Sequence, residues 1–349
     1  MRFEAITIKD IAKALGLSTS TVSRALRDSY EISTETKRIV LEYATEHNYR
    51  PNPIALSLKE KRSRSIGVIV CEIANSYFSQ VINGIESVAY QKGYNVIISQ
   101  SHESYEREVS DLDYLTSRSI DGLLISVSSE TKDMTHLQAL HKRGFPIVFF
   151  DRITDEIVTH KVIADNFQGA YNGTQHLINR GYKNIAALAN AQHLSIAQER
   201  LKGYKQAMID NDLIVNPNSI FYCNYGGVLF SEVQQAVKEL YKTKHKPDAI
   251  LGLSDKLTTG CLKALMAKGM NVPEDVALLG FSNSDLTELL CPSLSVIRQP
   301  AFEMGEIATD YLLSLIESKR PVKEFDTKVL DTELIIREST AKKVKTTAR

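Results

Sequence analysis

The sequence predicts two structural classes in one chain of 349 residues: a short all-α unit at the amino end, then an α/β pair of domains built on parallel sheets. Three observations carry this prediction. Up to about residue 50, apolar residues recur at helical spacing behind capping residues, whereas beyond residue 65 short continuous apolar runs alternate with amphipathic stretches. The charge is also uneven. Residues 1–65 hold 12 Lys and Arg against 8 Asp and Glu, and the remainder holds 30 against 34, so a formally neutral chain keeps its positive excess at the amino end. With 43% apolar residues, the chain can bury more than one core.

TIKDIAKALG opens the first helix. Thr7 and Asp10 form a capping-box variant, Ile8, Ile11, Ala12 and Leu15 make one apolar stripe, and Gly16 allows a sharp turn. A second helix starts at once in LSTSTVSRAL. Ser18 caps it and Val22, Ala25 and Leu26 face inward, which leaves Thr19, Ser20, Ser23 and Arg24 pointing away. This is helix-turn-helix spacing. A helix entering the DNA major groove needs short outward side chains that hydrogen-bond to base edges and phosphates, and hydroxyls with one arginine meet that need. A third helix is expected from Ser33 to about His47, with Val40, Leu41 and Ala44 packing and Asn48 as its stop. In YRPNPIALSLKEKRSRS, Asn52 can cap and Pro53 suits a first helical position, so IALSL can form one short helix ahead of a basic linker.

From Ser65 onward, SIGVIVCEI, YNVIISQS, IDGLLISVS, FPIVFFDRI, IAALAN, DAILGLSD and VALLGFSN read as strands, with helices such as FSQVINGIESVAYQKG between them. Parallel sheets bind ligands at the carboxyl ends of their strands. Polar groups recur where such a cleft would lie: Asn75 with Tyr77 and Phe78, Asp151 with Arg152, Asp165 with Asn166, Arg200, Ser254 with Asp255, and Ser282 with Asn283.

The two motifs TIKDIAKALGLSTSTVSRAL and YRPNPIALSLK together make the chain resemble the lactose-repressor (LacI/GalR) family of transcription regulators, with similarity reaching about residue 338. The resemblance implies a helix-turn-helix domain over 1–50 and a hinge helix with linker over 51–65. It further implies two periplasmic-binding-protein-like subdomains, 66–163 with 294–324 and 164–293 with 325–338; the basic, polar composition of residues 339–349 predicts a disordered tail. The resemblance places Thr19, Ser20 and Arg24 at base-reading positions and Thr21 and Ser23 on phosphates. With the caps Thr7 and Ser18, these form the expected DNA-binding surface. Asn52 to Leu58 would be the hinge helix, Leu58 the leucine that wedges into the minor groove and Ala55 the small residue beside it. Pro53 departs from the residue often found there.

In the cleft, the resemblance makes Arg200 the leading contact for a small effector, a sugar or sugar derivative. Phe78, Asp151, Ser254 and Ser282 match other cleft positions, and Asn75, Tyr77, His193, Ser195 and Asp255 join them. Ser282 stands where many family members carry an acid, and the chain has no tryptophan to stack on a sugar ring. A carboxylate or phosphate effector becomes easier to accommodate without that acid, while Arg200 also forks onto vicinal hydroxyls, so the effector stays open.

The resemblance implies a homodimer on a pseudo-palindromic DNA operator, because one helix-turn-helix reads few bases. The tail lacks leucine heptads, which argues against a coiled-coil tetramer. A regulator served by a protein corepressor and a soluble sugar-binding protein are the alternatives. An enzyme is not expected: GxSxG, P-loop, GxGxxG and metal-type histidine spacing are missing, and no cofactor or metal is implied. Four widely spaced cysteines, no apolar signal segment and no run long enough to span a bilayer predict a cytoplasmic protein without a membrane partner.

Overall fold

The computed structural model describes residues 6–49, 62–242 and 246–341. The chain divides into two compact units, the first ending at Ser63 and the second beginning at Arg64. Asn52, Ala55 and Leu58, expected to form a hinge helix, lie outside the described residues.

The first unit contains α1 (Ile8–Leu15), α2 (Thr19–Ala25) and α3 (Thr34–Glu46). Its core is small: Ile11, Ala12, Val22, Ala25, Val40 and Ala44 are buried. Gly16 holds the left-handed conformation (φ 65°) that ends α1 and lets α2 begin within four residues. Asn48, at φ 50°, likewise turns the chain beyond α3. Leu41, expected to pack, is instead 48% exposed. Val40 and Ala44 are one turn apart and set the inward face, and Leu41 is rotated about 100° from Val40 toward solvent.

The second unit holds two six-stranded sheets. The first runs in the order β11-β5-β4-β3-β1-β2, from strands at Ser65–Val70 (β1), Asn95–Gln100 (β2), Gly122–Ile125 (β3), Ile147–Phe150 (β4), Lys161–Ala164 (β5) and Thr327–Leu330 (β11), all parallel. The second runs β12-β10-β9-β8-β6-β7, from Ile185–Ala189 (β6), Ile220–Tyr222 (β7), Ala249–Gly252 (β8), Ala277–Phe281 (β9), Ser295–Arg298 (β10) and Glu333–Ile335 (β12). Its edge strand β12 is antiparallel to β10, a departure from the all-parallel expectation. The central strands are buried on both faces, as their unbroken apolar runs require.

Three chain crossings join the sheets, and two fall later than expected. β10 pairs with β9, so residues 294–298 belong to the second subdomain, and β11 pairs with β5, so residues 327–330 belong to the first. Short strands announce themselves by composition but not by partner, which only the tertiary fold decides. The expected tail also begins too early. Ser339 and Thr340 are fully buried: the Ser339 hydroxyl donates to the Leu278 carbonyl at 2.6 Å, and the Thr340 hydroxyl lies 2.7 Å from that of Ser295 and 2.9 Å from His176 Nε2. Both side chains are small enough to seal the end of β9 and β10 while satisfying groups that would otherwise be buried without partners.

Helix packing fixes the first subdomain. The helix Ser76–Gln91 lies so close to Ala301–Glu317 that a Cβ on Gly84 would sit 2.0 Å from the Phe302 carbonyl oxygen, and one on Gly305 would sit 2.1 Å from that of Val81. Two glycines thus permit a backbone-to-backbone contact that joins residues more than 200 positions apart. Among the described residues no helix is long and apolar enough to cross a membrane.

Candidate functional site

The first unit presents a hydroxyl-rich surface. Thr7 caps α1 by accepting from the Asp10 amide, and Asp10 accepts in return from the Thr7 amide at 2.9 Å and the Thr7 hydroxyl at 2.7 Å. These bonds, to the hydroxyl first and then the backbone, hold the Asp10 carboxyl below its usual range. Ser18 caps α2 by accepting from the Thr21 amide at 3.1 Å, and its hydroxyl lies 2.7 Å from that of Ser20 and 2.8 Å from that of Thr21. Thr19 and Ser20 are exposed. Ser23 is half-buried and accepts from Arg27, through Nη2 to its hydroxyl and Nε to its carbonyl, each at 3.0 Å. Arg24 is exposed and pairs with Glu31 at 2.9 Å. The structure therefore brings Thr19, Ser20 and Arg24 to one solvent-facing helix, with Ser18 and Thr21 spent partly on holding its first turn.

In the second unit, candidate side chains gather where strands end. Asn75 caps the helix Ser76–Gln91 by accepting from the Tyr77 amide at 2.9 Å, and Tyr77 and Phe78 are buried on its first turn. Asp151 follows β4 with a left-handed backbone (φ 60°), a conformation that costs a non-glycine residue about 1 kcal/mol or more and aims the carboxylate inward. Ser254 caps the helix Asp255–Ala267 directly after β8, and Ser282 follows β9.

Asn75, Phe78, Ser254 and Asp255 line one small pocket of about 50 Å³ together with Glu72 and Asn190. That volume holds a few waters and falls far below the several hundred Å³ of a cleft occupied by a small organic ligand. Tyr77, Asp151 and Arg200 form a buried group whose charges act on one another. Arg200 donates from Nε to Asn166 Oδ1 at 2.7 Å and from Nη1 to the Leu253 carbonyl at 2.8 Å, with its guanidinium 3.8 Å above the Phe281 ring. Burial lowers its pKa to about 10 against the opposing pull of Asp151. Burial likewise pushes the Asp151 carboxyl up, opposed by Arg152 and Arg200.

His193 and Ser195 do not share this pocket. They line a separate cavity of about 670 Å³ with Val127, Met134, Ile153 and Arg152. Burial lowers the pKa of His193. Arg152 touches both spaces and makes a two-pronged pair with Glu103 at 2.6 and 2.8 Å. Burial pushes the Glu103 carboxyl up, but the attraction and hydrogen bonds of Arg152 outweigh it and bring the value to about 2.

Several bonds tie the two subdomains together across the cleft. Lys256 pairs closely with Glu72, and the amide nitrogen of Asn283 donates to Gln80 Oε1 at 2.8 Å while Gln80 Nε2 donates back to the Asn283 carbonyl at 3.2 Å. Ser282 donates a short hydrogen bond to Asp255. The Asp255 carboxylate thus lies beside Ser282 in space, 27 residues away in sequence.

Sequence reasoning missed Glu72, Glu103, Asn190 and Lys256. Asn190 directly follows β6 and Glu72 lies two residues past β1, so the rule that picked out Asp151 covers them as well. Asn190 Oδ1 is buried without a partner among the described residues and lines the pocket, an acceptor suited to a ligand donor.

Residues 7–52 match the family described as "Bacterial regulatory proteins, lacI family", and residues 174–340 match "Periplasmic binding protein-like domain". The chain is 30% identical over 337 residues to the HTH-type transcriptional repressor PurR of Vibrio campbellii, covering 96% of this chain and 99% of that protein. It is 31% identical over 336 residues to the ribose operon repressor of Haemophilus influenzae, covering 95% and 98%. The structure of the lac repressor dimer bound to operator and the anti-inducer ONPF superposes with a TM-score of 0.81 at 26% identity, covering 97% of this chain and 100% of that one.

Proposed function

Because the chain belongs to the lacI family of bacterial regulatory proteins, we propose that it is a cytoplasmic transcriptional repressor that binds a pseudo-palindromic operator as a homodimer under the control of a small sugar-like effector. The observation that carries this reading is the pairing, in one chain, of an exposed hydroxyl and arginine face on α2 with a closed polar cleft between two subdomains. Two such helices in a two-fold dimer read two half-sites about one helical turn apart, which supplies the specificity one helix lacks. Thr19, Ser20 and Arg24 read bases, and Thr7, Ser18, Thr21 and Ser23 meet the phosphate backbone.

Effector control follows from the size of the inner pocket. A ligand of several heavy atoms enters a space of about 50 Å³ only if the subdomains part, which breaks the Lys256 to Glu72 pair and the Gln80 to Asn283 bonds. The angle between subdomains then changes, and with it the spacing of the two hinge segments in the dimer. A coupling of about 1–3 kcal/mol is enough to move operator occupancy severalfold to about a hundredfold. Asn75, Tyr77, Phe78, Asp151, Arg200, Ser254, Asp255 and Ser282 contact or support the effector, and His193 and Ser195 guard the outer cavity.

The test is selection of bound duplexes from a randomised pool at fixed salt, read by sequencing and fluorescence anisotropy. A two-fold symmetric site is the expected product. Binding that falls with salt and shows no sequence preference would remove the regulator reading.

A further inference from the structure

We propose that the end of the first sheet at which β1 begins is a second, sequence-independent DNA surface, which takes the phosphate backbone of the duplex flanking the operator. This rests on the reading of the first unit as the operator-binding unit. The topology of the second unit places the charges that support it.

All six strands of the first sheet run parallel, so their amino ends lie in one row. At about 4.8 Å between neighbouring strands the row is about 24 Å wide. The helices that connect the strands run the opposite way and end at the same row. Exposed cations stand all along it: Arg64 before β1, Lys92 before β2, Arg118 before β3, and Lys142 with Arg143 before β4. Lys319, Arg320 and Lys323 add to them before β11. The ion pairs that hold Arg152, Lys161, Lys256 and Arg298 elsewhere in the unit do not involve these side chains. Against the eight cations, the same segments, 64–65, 91–94, 117–121, 141–146 and 317–326, hold only four Asp and Glu. The opposite end, where the cleft lies, has the reverse balance. There the segments 71–76, 101–108, 126–134 and 151–152 hold seven Asp and Glu against three Lys and Arg, so the positive charge is confined to one end of the sheet.

Helix polarity accounts for part of this. Lys92, Arg118 and Lys142 each stand at the carboxyl end of a helix, where the macrodipole favours a cation. It leaves Arg143, Lys319, Arg320 and Lys323 without a reason, and the second subdomain serves as the control. Its strands β6 to β10 are wound the same way with helices of the same polarity, yet the matching segments 180–184, 210–219, 241–248 and 268–276 hold six Lys and Arg against five Asp and Glu. The excess belongs to the subdomain that the chain enters from the first unit. That unit ends at Ser63, and β1 starts at Ser65 within the positive row. The basic run KEKRSR leads into the row in sequence. A duplex held by the first unit is therefore tethered to this end by the chain itself, at an effective concentration that can reach the millimolar range. Over about 24 Å a duplex carries about 14 phosphate charges, at one per about 1.7 Å. Exposed lysines and arginines meet them with little desolvation, and release of condensed counterions drives the contact without regard to sequence.

The experiment uses the full chain, the operator recovered by selection, and fluorescence anisotropy at several salt concentrations. One duplex of about 20 base pairs holds only the two half-sites, and the other adds about 15 base pairs of random sequence on each side. The parent should bind the flanked duplex at least about tenfold more tightly than the short one, with a steeper dependence on salt. The variant combining Lys142→Gln, Arg143→Gln, Lys319→Gln, Arg320→Gln and Lys323→Gln should lose that advantage, its salt slope falling by about 0.9 for each phosphate contact removed. Its affinity for the short duplex should stay within about twofold of the parent at physiological salt, where charges more than about 8 Å away are screened. A control in which glutamine replaces Lys202, Lys205, Lys238, Lys263 and Lys268 of the second subdomain removes as many charges and should keep the advantage. A parent without a flank advantage overturns the proposal, and so does a variant that retains it. An equal loss in the control, or on the short duplex, also overturns it, because the effect would then be one of net charge alone. Binding of the short duplex by every preparation shows that the variants are folded and separates these failures from failure of the regulator reading, in which no symmetric site is recovered at all.

Discussion

The two units carry their functional side chains in opposite ways. In the helical unit, Thr19, Ser20 and Arg24 stand outside a core made by Ile11, Val22 and Val40, so the residues proposed to face DNA are not the residues that hold the fold. In the cleft region, Asp151, Arg152, Arg200 and Ser282 are only 2–6% exposed, and Arg152, Arg200 and Ser282 are tied to neighbouring groups, Glu103, Asn166 and Asp255. Function and stability are separable in the first unit and entangled in the second. The reason lies in the partners: a phosphate backbone is met at the surface, whereas a small molecule has to be enclosed to be bound with any selectivity.

The sharpest way to break this comparison is Arg152→Met. It removes one member of a buried ion pair and leaves Glu103 without its partner, so a loss of about 3–5 kcal/mol is expected, read as a lower urea midpoint for the second unit. A loss below about 1 kcal/mol would mean the cleft charges are as dispensable as surface pairs. The same pair gives a pH signature. The Glu103 carboxyl falls from its ordinary value near 4.5 to about 2 in the folded protein, so its contribution is present above pH 4.5 and is lost as the pH falls toward 2. The loss is on the order of 3 kcal/mol at 1.36 kcal/mol per unit. Glu103→Gln should flatten that part of the stability profile, and a profile unchanged from the parent would assign the acid sensitivity to other carboxylates.

On the other side of the comparison, Arg24→Ala should leave folding nearly untouched. Its pair with Glu31 is half-exposed and contributes about 0–1 kcal/mol. Its contact with a base edge would be worth about 1–3 kcal/mol of discrimination, so affinity for the selected duplex should fall roughly tenfold to a hundredfold while affinity for unrelated DNA changes little. An equal loss on all duplexes would make Arg24 a phosphate contact.

The sequence disclosed the two units unequally as well. Capping residues and helical spacing act locally, so the roles of Thr7, Ser18, Ser33 and Gly16 are legible from their immediate neighbours alone, and the strands announce themselves as apolar runs. The ends of those runs point to Asn75, Asp151, Ser254 and Ser282, and the inner pocket or its support includes each of them. The bond from Ser282 to Asp255, the Arg152 to Glu103 pair and the partner strands of β10 and β11 were not legible. Each joins residues at least 16 positions apart through a sheet order that local pattern does not encode. The split between the inner pocket and the outer cavity was hidden for the same reason, because the arginine between them owes its position to a glutamate 49 residues earlier.

The smallest expected effect tests the helical unit where local pattern misled. Val40, Leu41 and Ala44 read as one apolar set, but on a helix only residues three or four apart share a face, and Val40 with Ala44 already defines it. Val40→Ala empties part of a core of six buried residues and should cost about 1–2 kcal/mol. Leu41→Ala removes a side chain that is 48% exposed and installs the best helix former in its place, so stability should stay within about 0.5 kcal/mol of the parent. Chemical denaturation of the helical unit, followed by circular dichroism, measures both. A cost for Leu41→Ala equal to that of Val40→Ala would mean the inward face of α3 is wider than its buried residues indicate, and the separation of fold from DNA contact in this unit would then be narrower on α3 than on α2.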